Sequence, residues 1–384
     1  MPISSTTCAA GARYIGLMSG TSLDGVDGVL VQWSDIGTLH VLAYATQPFS
    51  TALRSELLAL NTPGPNELHR AALAGNAVSR AYAQVVQQLL THSACTAQQV
   101  HAIGAHGQTV RHQPQHHDGC GYTLQLQNPA LLAELSGITV VADLRSRDVA
   151  AGGQGAPLVP AFHAGVFGRS DQATLVLNIG GIANLSVLPA QHDPQSPVIG
   201  FDTGPGNALM DWWCQQHTGA PYDNGGQWAA SGQTDTDLLQ RMLAEPYLHQ
   251  APPKSTGRDL FHPTWLHQQL QACSTSLSPQ DIQATLTAFT AHSCAQAVRR
   301  WGMHSDSLLV CGGGALNTEL MRQLQALLPQ LHVQSTTARG LPPLQVEAAA
   351  FAWLARQCMQ QQPGNLPAVT GARGPRILGA IYPA

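Results

Sequence analysis

Apolar residues run along this chain in short stretches that break at small polar residues and then resume. From Tyr14 to Val31 (YIGLMSGTSLDGVDGVLV), and again from Thr174 to Leu188 (TLVLNIGGIANLSVL), a hydrophobic strand meets a glycine turn and continues beyond it. Each segment predicts a strand-turn-strand hairpin. Val41–Tyr44 reads as a third strand, and Glu67–Leu90 carries apolar residues at helical spacing. Val100–Gly104 predicts a short strand running into a loop, AHGQT. Pro129–Ser136 predicts a helix ended by Gly137, before a strand at Ile138–Ala142.

The order of three strands, helix, strand, helix, strand is that of a ribonuclease-H-like half. The second hairpin restarts it, with a third strand at Val198–Phe201, helices over Asn207–His217 and Asp281–Trp301, a buried strand at Ser307–Cys311 and a helix at Gln345–Met359. The last apolar residues, Ile377–Ile381, are placed to complete a strand in the first half. The fold class expected is therefore α/β, with two ribonuclease-H-like domains, mixed central sheets flanked by helices, and the active site in the interdomain cleft. The expected boundaries are a disordered extension over 1–13, a first domain over 14–143 plus 365–384, and a second over 144–364. Between the two halves, the linker Asp143–Pro160 (DLRSRDVAAGGQGAPLVP) reads as a hinge or active-site loop.

At 384 residues and 44% hydrophobic content, the chain is long enough for two real cores. No apolar run reaches the ~18 residues of a membrane span, and the first 13 lack the apolar stretch of a secretory signal. The eight cysteines include no C-x-x-C pair, which fits reduced thiols. A cytoplasmic protein with no membrane partner is expected. With 10% charged residues and a net charge of −4, there is no basic face for nucleic acid. Lys254 is the only lysine. This excludes a Walker loop and a protein-kinase strand lysine, both of which need lysine in a set place. Any phosphate clamp must come from backbone amides, metal and arginine.

The hairpin turns supply such amides. Gly20, Thr21, Ser22 and Gly25 in the first, and Gly180 and Gly181 in the second, allow close approach of an anion to the backbone. Asp24 and Asp27 would repel phosphate directly and make better sense near a divalent cation, with Asp24 as the metal residue. The sequence S-x-D-G is also ordinary turn chemistry. Two such turns in one chain favour a nucleotide with magnesium. Gly312, Gly313 and Gly314 (CGGGALN) permit a third close approach, and a bare strand-to-helix turn would look alike.

With GTSLDGVD, NIGGIANLS, GFDTGPGN and VCGGGALN in this order, the chain resembles the acetate kinase, sugar kinase, chaperone ATPase and actin superfamily. Within it, the chain is similar to the anhydro-N-acetylmuramic acid kinases of bacterial cell-wall recycling, through AIGAHGQTVRH, DLRSRDVAAGGQGAPLVPAFH, PKSTGRDLF and PAVTGARGPRILGAIYP. The resemblance implies a kinase that opens the 1,6-anhydro ring of its sugar with water and phosphorylates O6 from ATP with Mg2+. A homodimer is implied as well.

That resemblance places the catalytic base at Asp202, with Glu347 near the same water; a turn-capping aspartate and a surface glutamate are the plain alternatives. It extends the ATP contacts over the whole first turn (Gly20, Thr21, Ser22, Leu23, Asp24, Gly25, Val26, Asp27) and to Gly204. A lactyl carboxylate asks for arginine, and Arg145, Arg147 and Arg111 are candidates. His106, Gln108 and Thr109 stand where hydrogen bonds to sugar hydroxyls would fall, and Asn128 is placed to reach substrate or to cap the next helix. Lys254 and Arg258 are noted without a role. A zinc site at His112 and His116 is disfavoured by Pro114 between them. The rival readings are another sugar or carboxylate kinase of the superfamily and a non-enzymatic ATP-gated binding protein.

Overall fold

The computed structural model describes residues 11–20, 22–34, 37–190, 196–257, 260–273, 277–302 and 305–384. The chain divides into two compact units, Met1–Val166 with Gln345–Ala384, and Phe167–Leu344. The first holds β1 (Arg13–Ser19), β2 (Gly25–Trp33), β3 (Leu39–Pro48), β4 (Val100–Pro114), β5 (Gly121–Leu126) and β6 (Val140–Ala142). The second holds β7 (Thr174–Ile179), β8 (Ile182–Leu188), β9 (Ile199–Pro205), β10 (Ser307–Cys311) and β11 (His332–Ser335). β12 (Ala380–Tyr382) returns to the first.

The first sheet runs β12-β6-β4-β1-β2-β3 with β5 on β4, and the second runs β11-β10-β7-β8-β9. In each, three antiparallel strands are followed by two that run parallel to the first, as a ribonuclease-H-like half requires. The tail strand pairs antiparallel with β6 through Ile381 and Val141.

Alternation on β1 sets its two faces. Ile15 and Leu17 join Val78, Tyr82, Val85 and Leu89 of the helix Glu67–Ser93 in one core. Gly16 faces the other way. A Cβ there would stand 1.8 Å from the carbonyl oxygen of Ala348, and one on Gly104 would stand 2.0 Å from that of Phe351. Both glycines let the helix Val346–Met359 lie directly on the sheet. In the second unit the helix Pro279–Trp301 buries Phe289, Ala291, Cys294 and Val298 against the sheet residues Leu177, Leu185 and Phe201.

Three expectations are corrected. AHGQT is not a loop: β4 continues to Pro114, because β1 pairs it as far as Gln108 while β5 pairs the remainder. Asp202 likewise lies within β9, not at a strand end. Asp143–Pro160 is not an open hinge, since it forms the helix Ser146–Ala150, and Asp148 anchors the tail. The Asp148 carboxylate accepts from Asn365 Nδ2 at 2.6 Å, Thr370 Oγ1 at 2.8 Å and the Gly155 N–H at 2.8 Å. The disordered extension expected over 1–13 lies outside the described residues up to 10. Beyond them, Gly11 donates to the Trp33 carbonyl at 3.1 Å, Ala12 is buried and Arg13 begins β1.

Candidate active site

In the first turn Leu23 sits at φ 60° and donates its N–H to the Gly20 carbonyl at 3.2 Å, while the side chains of Leu23 and Val26 enter the core. What this turn offers a ligand is its backbone. A Cβ on Gly20 would meet nothing nearer than 3.7 Å, so its backbone is open to approach. Gly25 serves packing instead, since a Cβ there would strike the Gln47 carbonyl at 2.3 Å. Thr21 lies outside the described residues, and Ser22 is half-buried. Asp24 is solvent-facing, with Arg54 at 3.8 Å. Asp27 is held by the Tyr44 hydroxyl at 2.7 Å, and burial, with the nearby Asp24 charge, pushes its pKa up despite that bond. Among the described residues no group of three or more His, Cys, Asp or Glu is placed to hold a metal. Asp24 is the exposed carboxylate of this turn, of the oxygen chemistry that a hard divalent cation takes.

Behind this turn the extended β4 brings His106 and Gln108 against it. Gln108 donates to the Gly20 carbonyl at 3.0 Å, and its buried Oε1 has no hydrogen-bond partner among the described residues. Arg145 Nε donates to His106 Nε2 at 3.0 Å. This fixes the tautomer: Nδ1 carries the proton and donates to the Ser19 carbonyl at 3.3 Å. Burial, then the Arg145 charge, hold the His106 pKa well below its usual value, so the ring is neutral. Arg145 also donates to the Gly155 carbonyl at 2.7 Å. Burial lowers its pKa to about 10, against the opposing charges of Glu347 and Asp148. Glu347 lies in the first turn of the helix Val346–Met359 and acts on Arg145.

The other sugar-side candidates are dispersed. Arg111 is paired with Glu67 at 2.5 Å and the Leu60 carbonyl at 3.1 Å. Arg147 is exposed and lines a surface cavity with Cys358 and Arg376 of the tail region. Asn128 is spent on its helix cap, accepting from the Leu131 N–H at 3.0 Å while its amide donates to Asn76. Thr109 Oγ1 accepts from Gln125 at 3.2 Å.

In the second unit three glycine turns converge. Asn207 donates its N–H to the Gly180 carbonyl at 2.8 Å and its side-chain amide to the Ile179 carbonyl at 3.1 Å. A Cβ on Gly312 would stand 2.5 Å from Asn178 Oδ1, and one on Gly314 would stand 2.4 Å from the Ile179 side chain. The close approach these two permit is to the hairpin itself; only Gly313 keeps room. Gly180 and Gly181 are open, with nothing nearer than 3.7 Å to an added Cβ. Their peptide groups fit a phosphate. Gly204 packs inward, where a Cβ would meet the Leu248 side chain at 2.9 Å. Asn207 stands in the quoted GPGN motif but was not singled out by sequence; its amide and adjacent turn were the available signal.

One strand away lies Asp202. Its N–H donates to the Lys254 carbonyl at 3.3 Å, its Oδ2 accepts from the Thr256 N–H at 3.0 Å, and its carbonyl accepts from the Tyr247 hydroxyl at 2.9 Å. Burial raises the carboxyl to about 6, against the Thr256 hydrogen bond and the Lys254 charge. A half-buried carboxylate with that value is ionised at neutral pH yet basic enough to take a proton. Tyr247 carried no sequence signal, and Thr256 stood in the quoted PKSTGRDLF motif without a role, because their contacts depend on a turn and a segment 45 and 54 residues away along the chain. Arg258 lies outside the described residues.

A family model described as anhydro-N-acetylmuramic acid kinase matches residues 12–384. The protein of that name from Variovorax paradoxus (strain S110) is 65% identical, across 98% of this chain and 100% of its own length. Its counterpart from Albidiferax ferrireducens is 62% identical, across 97% of this chain and 99% of its own. A solved structure titled as the activator of the 2-hydroxyisocaproyl-CoA dehydratase from Clostridium difficile with bound ADPNP has a TM-score of 0.47 at 12% identity, covering 91% of this chain and 96% of that one.

Proposed function

The chain belongs to the anhydro-N-acetylmuramic acid kinase family, and we propose from this that it opens 1,6-anhydro-N-acetylmuramic acid with water and phosphorylates the released O6, giving N-acetylmuramic acid 6-phosphate and ADP. The observation that carries the mechanism is the state of Asp202. Burial poises it near 6, and the Thr256 N–H occupies one carboxylate oxygen, Oδ2. Asp202 takes a proton from the water that attacks the anomeric carbon. Bound ATP and Mg2+ supply the γ-phosphoryl group and offset its charge. Each unit offers an open glycine turn, at Gly20 in the first and at Gly180–Gly181 in the second, whose peptide N–H groups suit phosphate oxygens, and Asp24 on the first of these turns suits a divalent cation.

On the sugar side, Arg145 grips the lactyl carboxylate, held in place by neutral His106 and the Gly155 carbonyl. Arg111 is committed to Glu67, which removes it from that role. Gln108 Oε1, buried and unpartnered among the described residues, accepts from a sugar donor. Glu347, whose charge acts on Arg145, orients that arginine. Family membership also supports a cytoplasmic homodimer, which light scattering at twice the chain mass would check.

The test is ATP turnover against a sugar panel. ADP release dependent on the anhydro-muramic sugar, with product phosphorylated at O6, is expected. Turnover only with a different sugar or a carboxylate would keep a kinase and discard the substrate; binding of ATP with no turnover on any acceptor would favour a binding protein.

A further inference from the structure

We propose that Lys254 is the positioning residue for Asp202, clasping the exposed edge of β9 and keeping the carboxylate charged while the enzyme works. The proposal rests on the reading of Asp202 as base and goes one residue beyond it.

Among the described strands, β9 is an edge strand, paired on one side only, by β8. An edge leaves backbone groups unpaired. The segment from Lys254 to Thr256 supplies the missing partners: Lys254 accepts the Asp202 N–H through its carbonyl, and Thr256 donates to the carboxylate. The lysine side chain then ties this segment down. Its ammonium donates to the Tyr247 and Leu248 carbonyls, each at 3.1 Å, and lies 4.7 Å from the Tyr247 ring centre and 5.7 Å from that of Phe201. Tyr247 closes the loop by donating to the Asp202 carbonyl. One side chain thus fixes both the turn and the segment that hold Asp202.

The charge has a second effect. A carboxyl withdrawn from water drifts toward its neutral form, and a nearby cation opposes the drift. Burial and the Arg300 charge lower Lys254 to about 8, while the Asp202 charge resists that fall. Lysine and aspartate are therefore both charged between about 6 and 8. Among the described residues, the remaining titratable or charged groups around the pair are few. Tyr247 and His249 stand on the Pro246–His249 turn; Cys294 and Arg300 stand on the helix Pro279–Trp301, with Cys294 against Thr203 and Arg300 donating to the His249 carbonyl. β8 carries none, and Asn184 lies opposite Asp202.

The experiment titrates the Asp202 carboxyl by carbon NMR in protein labelled at aspartate Cγ, assigned with Asp202→Asn, alongside the pH profile of kcat. Wild type, Lys254→Met and Lys254→Arg are compared. In Lys254→Met the Asp202 midpoint and the acid limb of kcat should rise together by about half a pH unit or more. Lys254→Arg should bring both back toward wild type, because charge without a matching shape restores the field. If Lys254→Met does not fold, Lys254→Gln takes its place with the same expectation. An Asp202 midpoint unmoved in a folded neutral variant overturns the proposal. Turnover surviving in Asp202→Asn would instead overturn the base assignment, and the NMR midpoint decides the Lys254 coupling in either case.

Discussion

Asp202 is raised to about 6, and the consequences have a definite sign. Activity should be full above pH 7 and fall through a limb near 6 as the base is protonated. Asp202→Asn should lower kcat by roughly 10²–10⁴-fold with little change in sugar KM, as loss of a general base does. Stability should move the other way. A carboxyl whose folded pKa lies above its unfolded value disfavours the fold once ionised, a penalty present above pH 6 and gone below about 4. Asp202→Asn should therefore raise Tm by a few degrees at pH 8, about 1–2 kcal/mol, and not at pH 4, as calorimetry at the two pH values would show. For Arg145 the readout is specificity. Arg145→Gln should raise KM for the muramic sugar by roughly tenfold or more, and barely change it for the anhydro sugar lacking the lactyl group.

Among the elements, glycine substitutions separate ligand contact from packing. Gly16→Ala and Gly104→Ala drive a methyl into backbone of the helix Val346–Met359 and should cost about 3 kcal/mol or more in denaturant unfolding. Gly180→Ala has room and should leave Tm within a degree or two, yet raise KM for ATP about tenfold by crowding the phosphate. Sequence reading located both hairpins because alternation and a glycine turn are local signals. It also found the tail strand from the apolar residues Ile377–Ile381, although β12 covers Ala380–Tyr382 and pairs Ile381 with Val141, 240 residues away along the chain. It missed the length of β4, since Gly107 at φ 78° resembles a loop glycine while a register shift against β1 absorbs it. Gly312 and Gly314 carry a related ambiguity: composition shows that a backbone must come close, and not that the Ile179 segment is one of the partners it approaches.

Across the whole molecule, β12 of the tail joins the sheet that β1 begins, and the tail does more than extend that sheet. Asn365 and Thr370 saturate the buried Asp148 carboxylate, and β12 covers the edge of β6. A chain ending at residue 362 should lose the folded first unit, seen as insoluble expression or loss of the cooperative thermal transition, because the buried Asp148 Oδ1 would lose both Asn365 and Thr370 and only Oδ2 would keep the Gly155 N–H. The repeated hairpins made the two-part plan legible, and long ordered motifs made the family legible. The partners of Asp202 were hidden, as they come from a turn and a segment that only the fold brings beside β9. The most direct test of the account runs the reaction in ¹⁸O water with ATP and 1,6-anhydro-N-acetylmuramic acid, and weighs the product from wild type and from Asp202→Asn. The account predicts one solvent oxygen at C1 and phosphate on O6 in wild type, with both lost in the variant. Phosphorylated product without solvent oxygen, or labelled product undiminished in Asp202→Asn, would contradict it.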